Sequence, residues 1–371
     1  MRSSLLALIC CPACGSVLQL CSTTAEQVEI WEGELRCIGC GTIYCVRSGI
    51  PHLYIEDEQW VPKAREAQGW VDYHKERDIY IQPEDAVDLK IPYYPEEPWI
   101  GVGHSFDIAL KHLSAFLKPG MAVLDLGAGR GWAAKQFALR RCQAVALDIT
   151  DGENIGLGRA WALMKHANVR FDPIIADGER LPLLPESFDL VFCAAALHHT
   201  SDLPLFVSNI HRVLRPGGIL CAIREPCIAI DQSAERVLRQ DAGPELKHGI
   251  NEQRPNFLEY WSALRHAGFA ETDFLWPPGD GLSISELRNC AKDLGAIYPA
   301  WSDYGWRINL RRWGLFLFHL LASLPKRRSV AVLPHLADER QHLMRDILLR
   351  VTGEVLFFAH KASGYASRIP K

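Results

Sequence analysis

Short, almost wholly apolar runs recur along the middle of the chain and end at acidic or turn residues. Such runs are typical of strands buried on both faces of a parallel sheet, whereas half-exposed strands alternate apolar and polar positions. Amphipathic helical patterns cover 104–117, which stops at Lys118-Pro119-Gly120, and 257–266. This alternation predicts an α/β domain with a doubly wound sheet. The predicted strands are 123–126, 144–147, 173–176, 188–193, 219–223, 269–275 and 353–360.

The first of these runs leads into a loop with glycine at every second position. Asp125, Gly127, Gly129 and Gly131 form the pattern D-x-G-x-G-x-G. Glycine is needed where the backbone turns tightly against a ligand, because a Cβ there would clash or forbid the required φ. The dinucleotide fingerprint G-x-G-x-x-G would need glycine where Trp132 stands, and the phosphate-binding G-x-x-x-x-G-K-[ST] is absent. The loop therefore indicates a different nucleotide-type ligand.

Acidic residues follow the next two strands. Asp148 comes roughly twenty residues after the loop, where a doubly wound fold places an acid on a ribose diol, and Asp177-Gly178 ends the third strand. One acid alone would as readily be a helix cap, but several in register favour a binding site. This order resembles the class I S-adenosylmethionine-dependent methyltransferases of type 11, typified by quinone C-methyltransferases. The resemblance implies that S-adenosyl-L-methionine is bound by Asp125, Gly127, Gly129, Gly131, Asp148, Asp177, Gly178 and Cys193.

Two C-x-x-C pairs near the start indicate a metal-binding module. Their cysteines are Cys11, Cys14, Cys37 and Cys40, and glycine follows each pair. Four thiolates on two tight turns suit a closed structural zinc site, with free thiols as the alternative and Cys10 as a competing ligand. The segment resembles the zinc ribbon of the subunit that activates tRNA methyltransferases. Because the segment is fused to the predicted methyltransferase domain, it is expected to pack on that domain or to present substrate to it. The alternative is that the metal only stabilises the fold of this short segment.

The predicted fold class is α/β, with a doubly wound Rossmann-like methyltransferase sheet, an N-terminal zinc-ribbon domain and helical insertions. The ribbon covers 1–56. An aromatic-rich arm or linker covers 57–103 and is expected to pack over the ligand cleft, with ordinary wrapping of the sheet as the alternative. The methyltransferase domain covers 104–371, with insertions at about 227–253 and 276–350. The first insertion follows the carboxyl end of a strand, where ligands bind in open α/β sheets.

Composition narrows the location and partners of the protein. A net charge of −4 over 371 residues argues against a chain-wide nucleic-acid footprint. Twelve cysteines without a signal peptide indicate reduced thiols and a cytoplasmic protein, since the apolar core at 5–9 is too short for a signal sequence. No stretch reaches the ~20 apolar residues of a membrane span. The segment 307–328 is apolar with basic flanks, so it predicts either peripheral membrane contact or a buried helix.

The candidate catalytic residues are a few titratable side chains near the predicted cleft. A methyl sulfonium is already activated, so the protein must align the nucleophile and, for a hydroxyl or acidic carbon, remove a proton. The candidates are His198, His199, Glu225 and His248, and we favour His198 over His199 because two adjacent histidines cannot easily both face the substrate. A hydrogen-bonded wall residue is the alternative for each histidine.

These features predict a methyltransferase acting on an oxygen or carbon of a small or lipid-linked metabolite. Cys193-Ala194-Ala195-Ala196 stands where methylases of planar amide or adenine nitrogens carry an Asn/Asp-Pro-Pro-aromatic clamp, which argues against those targets. An rRNA or tRNA methyltransferase that uses the ribbon for substrate binding is the first alternative, and a non-catalytic adenosylmethionine-binding adaptor is the second. The sequence names neither the acceptor nor the oligomeric state.

Overall fold

An eleven-stranded sheet forms the centre of the described part of the chain. The structure is a computed structural model that describes residues 1–21, 29–78, 87–152, 154–241, 243–297 and 339–363. The strand order is β1-β2-β3-β4-β7-β6-β5-β8-β9-β11-β10. The strands are β1 (Leu18–Leu20), β2 (Gly33–Cys37), β3 (Ile43–Arg47), β4 (Ile50–Leu53), β5 (Ala122–Leu126), β6 (Gln143–Asp148), β7 (Asp172–Ala176), β8 (Phe188–Ala194), β9 (Leu214–Cys227), β10 (Glu271–Leu275) and β11 (Gly353–His360).

The predicted apolar runs form the strands from β5 to β11 of this sheet. Strands β7, β6, β5, β8 and β9 are parallel, and β11 runs antiparallel between β9 and β10. Every residue of β5 and β7 is buried, as the continuous apolar pattern predicts. Since β5 lies at the centre and its neighbours diverge in chain order on either side, the glycine loop after it opens at the topological switch point. The predicted doubly wound α/β fold is thereby confirmed.

Helices cover both faces of the sheet. Phe192 of β8 packs against Phe106 and Phe137 on one face, with ring centroids 5.7 and 5.3 Å apart. Val191 faces the opposite core, which includes Phe206 and Tyr260. Neighbouring strand residues point to opposite faces, so each strand supplies both cores. The helices are α1 (Trp60–Glu76), α2 (Trp99–Leu113), α3 (Trp132–Leu139), α4 (Ala160–Ala167), α5 (Leu203–Val213), α6 (Ala234–Asp241), α7 (Gly243–Lys247), α8 (Phe257–Ala267), α9 (Ile284–Ile297) and α10 (Glu339–Leu348).

The N-terminal cysteine-containing segment extends the same sheet. Strands β1 to β4 form an antiparallel meander, and β4 then pairs in parallel with β7 through His52↔Ile175 and Leu53↔Ala176. Arg2 also forms an ion pair with Asp172 at 2.6 Å. The sequence predicts a ribbon before the α/β domain. It does not predict that β4 pairs with β7, because the two strands are far apart in the chain and no local pattern specifies which strands become neighbours. The ribbon therefore lies beside the strand that ends at Asp177.

Two insertions are helical where the structure describes them. The first contains α6 and α7, and the second contains α9 and α10. Residues 298–338 lie outside the described residues, and so does the predicted membrane-contact segment 307–328. Among the described helices, none has the length and apolar content that crossing a bilayer requires.

Candidate functional site

A cavity of about 460 Å³ opens at the carboxyl ends of β5 to β8. This is the edge where ligands bind in open α/β sheets. Its wall combines the glycine loop, the acidic strand ends, the loop after β8 and one face of α1. The lining includes Lys63, Glu66, Trp70, His74, Gly127, Gly129, Asp148, Asp177, Gly178, Ala196, His198, His199 and Glu252.

The glycine loop is held in a shape that side chains would disturb. Gly127 has φ +73°, and a Cβ there would lie 2.5 Å from the Cβ of Ala196. Gly129 has φ +54° with no atom within 4 Å of the position a Cβ would take, so its backbone is open toward the cavity. Its N–H donates to Asp148 Oδ2 at 2.8 Å. The backbone of the loop therefore borders the cavity beside Asp148, the acid that is predicted to bind a ribose.

Asp148 retains acceptor capacity for a ligand. Oδ2 accepts from Gly129 and Oδ1 accepts from the N–H of Thr150 at 2.9 Å. Burial raises the pKa of Asp148, and these hydrogen bonds oppose that rise by favouring the carboxylate. A carboxylate has about four lone-pair sites, and the Thr150 hydroxyl and the Ile149 N–H also interact with Asp148, so the hydroxyls of a ribose diol would share these acceptor sites.

Asp177 and Gly178 form the third predicted part of the cofactor site. Asp177 accepts the N–H of Glu179 at 2.9 Å, and Arg180 lies 3.6 Å from its other oxygen. Burial raises the pKa of Asp177. Gly178 leaves room for the ring of Phe206, since a Cβ would come within 2.3 Å of that ring. Both residues line the cavity on the side of the sheet that the ribbon extends.

Three predicted cofactor residues lie behind the cavity wall. Asp125 is buried and accepts the N–H of Ala134 in α3 at 2.8 Å, and burial raises its pKa to about 7. Gly131 begins α3 with φ +84°. Cys193 is fully buried in the sheet, which raises the pKa of its thiol. None of the three is among the residues that line the cavity, so they support the loop and strand rather than face a ligand.

A buried carboxylate orients His198. Glu225 has no exposed surface, and Oε1 accepts the N–H groups of Ala196 and Leu197 at 2.9 and 3.0 Å. Its Oε2 accepts the N–H of His198 at 3.3 Å and the ring Nδ1 at 2.9 Å. Because a carboxylate only accepts, Nδ1 carries a proton, which leaves the Nε2 lone pair toward the cavity in the neutral ring. The predicted residues His198 and Glu225 therefore form a unit at the cavity.

His199 also lies at the cavity, beside a residue that sequence reasoning missed. Its Nδ1 donates to the carbonyl of Asn251 at 2.6 Å, and its ring meets Trp70 edge-on at 5.2 Å. Glu252 lies 3.9 Å from Nε2 of His198 and 3.6 Å from Nδ1 of His199, and it pairs with Arg254. Burial lowers the pKa of His199 well below its usual value, so the ring is neutral. Both adjacent histidines thus line the cavity, whereas the sequence analysis expects only one of them to face the substrate.

His248 is placed apart from the other catalytic candidates. Its Nε2 lies 2.7 Å from Glu76 at the junction between α1 and the end of α7, and Lys247 pairs with the same carboxylate at 2.8 Å. It is not among the cavity-lining residues.

One face of α1 supplies most of the residues that the sequence analysis missed. Lys63, Glu66, Trp70 and His74 line the cavity. Burial raises the pKa of Glu66 to about 8 and lowers that of His74 to about 4. Their spacing of three, four and four residues puts them on one helix face. Apolar periodicity does not identify this face, because its residues are mostly polar. Their helical spacing of three and four residues is the sequence signal that could have indicated a shared face.

The four predicted metal ligands converge in the ribbon. Their ligand atoms all lie within 4.8 Å of one another, and the Sγ atoms of Cys11 and Cys40 and of Cys14 and Cys37 are 3.7 and 3.4 Å apart. The N–H of Gly39 donates to the sulfur of Cys37 at 3.3 Å. A tetrahedral zinc with Zn–S bonds of about 2.3 Å would separate its sulfurs by about 3.8 Å. The cluster therefore fits the group, and Cys10 is not part of it.

Known proteins show the same domain. A family model described as a methyltransferase domain matches residues 124–222. A malonyl-[acyl-carrier protein] O-methyltransferase of Gallionella capsiferriformans is 34% identical over 184 residues, which cover 47% of this chain and 60% of that protein. A sterol 24-C-methyltransferase of Gibberella zeae is 27% identical over 252 residues, which cover 62% of each. The chain spans about 60% of the length of these curated relatives.

Among the solved structures that match is phosphoethanolamine N-methyltransferase 2 of Haemonchus contortus in complex with S-adenosyl-L-methionine. It is 15% identical, covers 79% of this chain and 60% of that chain, and has a TM-score of 0.47. The family match spans β5 to β9, the part of the sheet whose strand ends form the cavity. Residues 124–222 therefore match a methyltransferase domain, and the strands that they form belong to a Rossmann-like sheet.

Proposed function

We propose that this protein transfers a methyl group from S-adenosyl-L-methionine to an oxygen or carbon of a small or lipid-linked metabolite. The observation that carries the proposal is a single cavity with two chemically different ends. Asp148 and Asp177 line one part of it, and His198, which Glu225 orients from behind the wall, lines another. An adaptor that only bound the cofactor would have no need for an oriented histidine beyond it.

The residues of the cavity divide the work of the reaction. When bound, the cofactor supplies a methyl sulfonium, whose carbon–sulfur bond breaks as the methyl joins the acceptor and leaves a neutral thioether. Asp148 would accept from the ribose hydroxyls, and Asp177 would accept from the adenine amino group. His198 Nε2 accepts the proton that the acceptor loses, and Glu225 stabilises the resulting imidazolium through Nδ1–H. Trp70 and α1 cover the cleft and exclude water.

The relatives support this class of acceptor. One is named for O-methylation of a carrier-bound malonyl group and the other for C-methylation of a sterol, so oxygen and carbon acceptors both occur among similar proteins. No Asn/Asp-Pro-Pro-aromatic clamp for a planar nitrogen follows β8, where Ala195 and Ala196 stand instead. Ala195 and Ala196 both line the cavity, so the space beside them is open to a bulkier acceptor.

We further propose that Cys11, Cys14, Cys37 and Cys40 hold one structural zinc ion. Four protein thiolates fill a tetrahedral shell and leave no open position for substrate, which suits a folding role. The ribbon is short, so its small core needs a metal to fix its turns. Through β4 it also pairs with β7, the strand that Asp177 directly follows.

The function is tested by mixing the purified chain and cofactor labelled in its methyl group with cell extract. We expect one class of metabolite to gain label with the native protein and none with Asp148→Ala. Label in RNA rather than in a small or lipid-linked molecule would overturn the acceptor class. Cofactor binding by calorimetry without any labelled product, in extracts of several growth conditions, would favour the adaptor.

A further inference from the structure

The acceptor end of the cavity brings together two imidazoles and a carboxylate. His198, His199 and Glu252 each offer one ligand atom, and these atoms all lie within 4.8 Å of one another. Glu252 and His198 are buried, with 7% of each residue exposed. Two histidines and one carboxylate form the donor set that proteins use for open-sided divalent transition-metal sites. The cluster is separate from the cysteine cluster of the ribbon.

Both histidines are already oriented as metal ligands are. His198 Nδ1–H donates to Glu225 at 2.9 Å, and His199 Nδ1–H donates to the Asn251 carbonyl at 2.6 Å. A metal-bound histidine almost always donates its other ring N–H to a carboxylate or backbone carbonyl, which fixes the tautomer and raises ligand basicity. Each ring therefore keeps its Nε2 lone pair for another partner. A single general base would need this preparation at one histidine only.

The distances match a site that contracts slightly when filled. His198 Nε2 lies 3.9 Å from Glu252 Oε2, and Glu252 Oε1 lies 3.6 Å from His199 Nδ1. Since that Nδ1 donates to the Asn251 carbonyl, His199 would bind a cation through its other ring nitrogen, Nε2. Ligands at about 2.1 Å from one cation are separated by up to about 4.2 Å. Arg254 pairs with Glu252 and competes for the same carboxylate. A cation must therefore displace part of that ion pair.

We propose that His198, His199 and Glu252 bind one divalent transition-metal cation at the acceptor end of the cavity. This inference rests on the proposed function and deepens it, because such a cation selects an oxygen acceptor over carbon. Three protein ligands leave open positions on the cavity side. A hydroxyl with a neighbouring oxygen fills two of them.

The cation changes how the acceptor loses its proton. Coordination lowers the pKa of a bound hydroxyl, so its proton leaves to solvent before transfer. The resulting oxygen anion then forms the new carbon–oxygen bond while the carbon–sulfur bond of the sulfonium breaks. In this arrangement His198 is a ligand rather than the direct base. Glu225 keeps its positioning role in both cases.

Mn²⁺ is the probe for this site because it favours carboxylate and imidazole ligands and does not displace zinc from four cysteines. The full zinc-loaded chain is titrated with Mn²⁺ and followed by electron paramagnetic resonance and calorimetry. We expect about one bound Mn²⁺ per chain, with affinity at least tenfold weaker in His199→Ala and Glu252→Gln. Arg254→Met, which removes the competing cation, is expected to bind Mn²⁺ more tightly. His248→Ala is the matched control and binds like the native chain.

Absence of Mn²⁺ binding up to millimolar concentration would overturn the proposal, and so would equal affinity in Glu252→Gln. Thermal unfolding of each variant shows whether it is folded, and Glu252→Gln preserves side-chain shape. Cofactor binding is measured on the same cation-free samples. Retained cofactor binding with no Mn²⁺ binding refutes the cation site alone, whereas loss of both in the native chain refutes the proposed function as well.

Discussion

The two ends of the cavity are built in different ways. The cofactor end consists of strand termini and the loops directly after them, so Gly127, Asp148 and Asp177 reach it from consecutive strands of one sheet. The acceptor end combines His198 with Glu252 from an insertion and with Trp70 from a helix before the domain. The cofactor end therefore depends on local sequence and sheet order, whereas the acceptor end depends on how distant segments pack.

This difference has a functional consequence. A sheet edge with its own hydrogen bonds keeps the cofactor in place whatever covers it, so the covering segments can vary with the acceptor. Gly127 and Ala196 mark the contact between the two ends, since a Cβ on the glycine would touch Ala196. Substitutions on either side of this contact are expected to separate cofactor affinity from transfer rate.

The largest effect is expected in the ribbon that borders the cofactor end. Cys37→Ser should abolish zinc binding and unfold the ribbon, because structural zinc supplies about 10 kcal/mol or more of folding free energy in small modules. Elemental analysis and hydrogen exchange of 29–53 measure this. We expect cofactor affinity to fall less than about tenfold, since β5 to β8 hold most of the site.

Cys21→Ser is the matched control, because Cys21 is exposed and outside the cluster. Native protein prepared without chelator and found to hold no zinc would contradict the assignment. Loss of all cofactor binding in Cys37→Ser would show instead that the ribbon governs the cofactor end.

The next largest effect is expected at the acceptor end. Glu225→Gln replaces the acceptor of three backbone N–H groups and of the His198 ring with an amide, so His198 loses its fixed tautomer. We expect methyl transfer to slow by about 100-fold or more. Cofactor affinity by calorimetry should change by less than about threefold, or 0.6 kcal/mol.

Glu225→Asp keeps the charge and should recover part of the rate, which a purely structural role would not produce. Equal losses of transfer rate and cofactor affinity in Glu225→Gln would show that the two ends of the cavity are not separable.

The converse change tests the cofactor end. Asp148→Ala removes the acceptor for two ribose hydroxyls and should weaken cofactor binding tenfold to a hundredfold, or roughly 1.5–3 kcal/mol. Calorimetry measures this loss. Asp202→Ala is the control, because Asp202 caps α5 on the surface at Leu205. Unchanged affinity in Asp148→Ala would remove Asp148 from the cofactor site.

The smallest effect concerns the covering helix α1. Burial raises the pKa of Glu66 from 4.5 to about 8, so the folded chain keeps a proton that the unfolded chain releases above pH 4.5. Stability should therefore fall as pH rises from about 4.5 to 8, by about 2 kcal/mol between pH 5.5 and 7. Glu66→Gln should remove this part of the slope.

Denaturant unfolding at several pH values measures the slope for both proteins. The variant should be more stable than the native chain at pH 8 and nearly equal to it at pH 4. Parallel slopes across this range would show that Glu66 is ionised in the folded protein.

The sheet was predictable because its strands carry their own signal. The seven runs from 123–126 to 353–360 all form strands, and β11 spans the same residues that the apolar pattern marks. Burial on both faces demands continuous apolar sequence, so local composition and tertiary position coincide. For the same reason, the sequence alone predicts that Asp148 and Asp177 stand at the carboxyl ends of buried strands.

The acceptor end was only partly predictable. The sequence places His198 and Glu225 after strands, whereas Glu225 lies within β9, and the structure joins the two at 2.9 Å. Glu252 and the polar face of α1 carry no local pattern that separates them from surface residues. His248 has the right residue type, yet its pairing with Glu76 outside the cavity depends on how α7 packs on α1.

The sequence by itself determined the α/β sheet, the glycine loop and the four ribbon cysteines, because each depends on spacing within one short segment. Only the tertiary structure decided that β4 pairs with β7, that α1 covers the cavity and that Glu252 meets both histidines. These contacts join residues far apart in the chain. Their free energy comes from burial and from hydrogen bonds between distant segments, which no local pattern records.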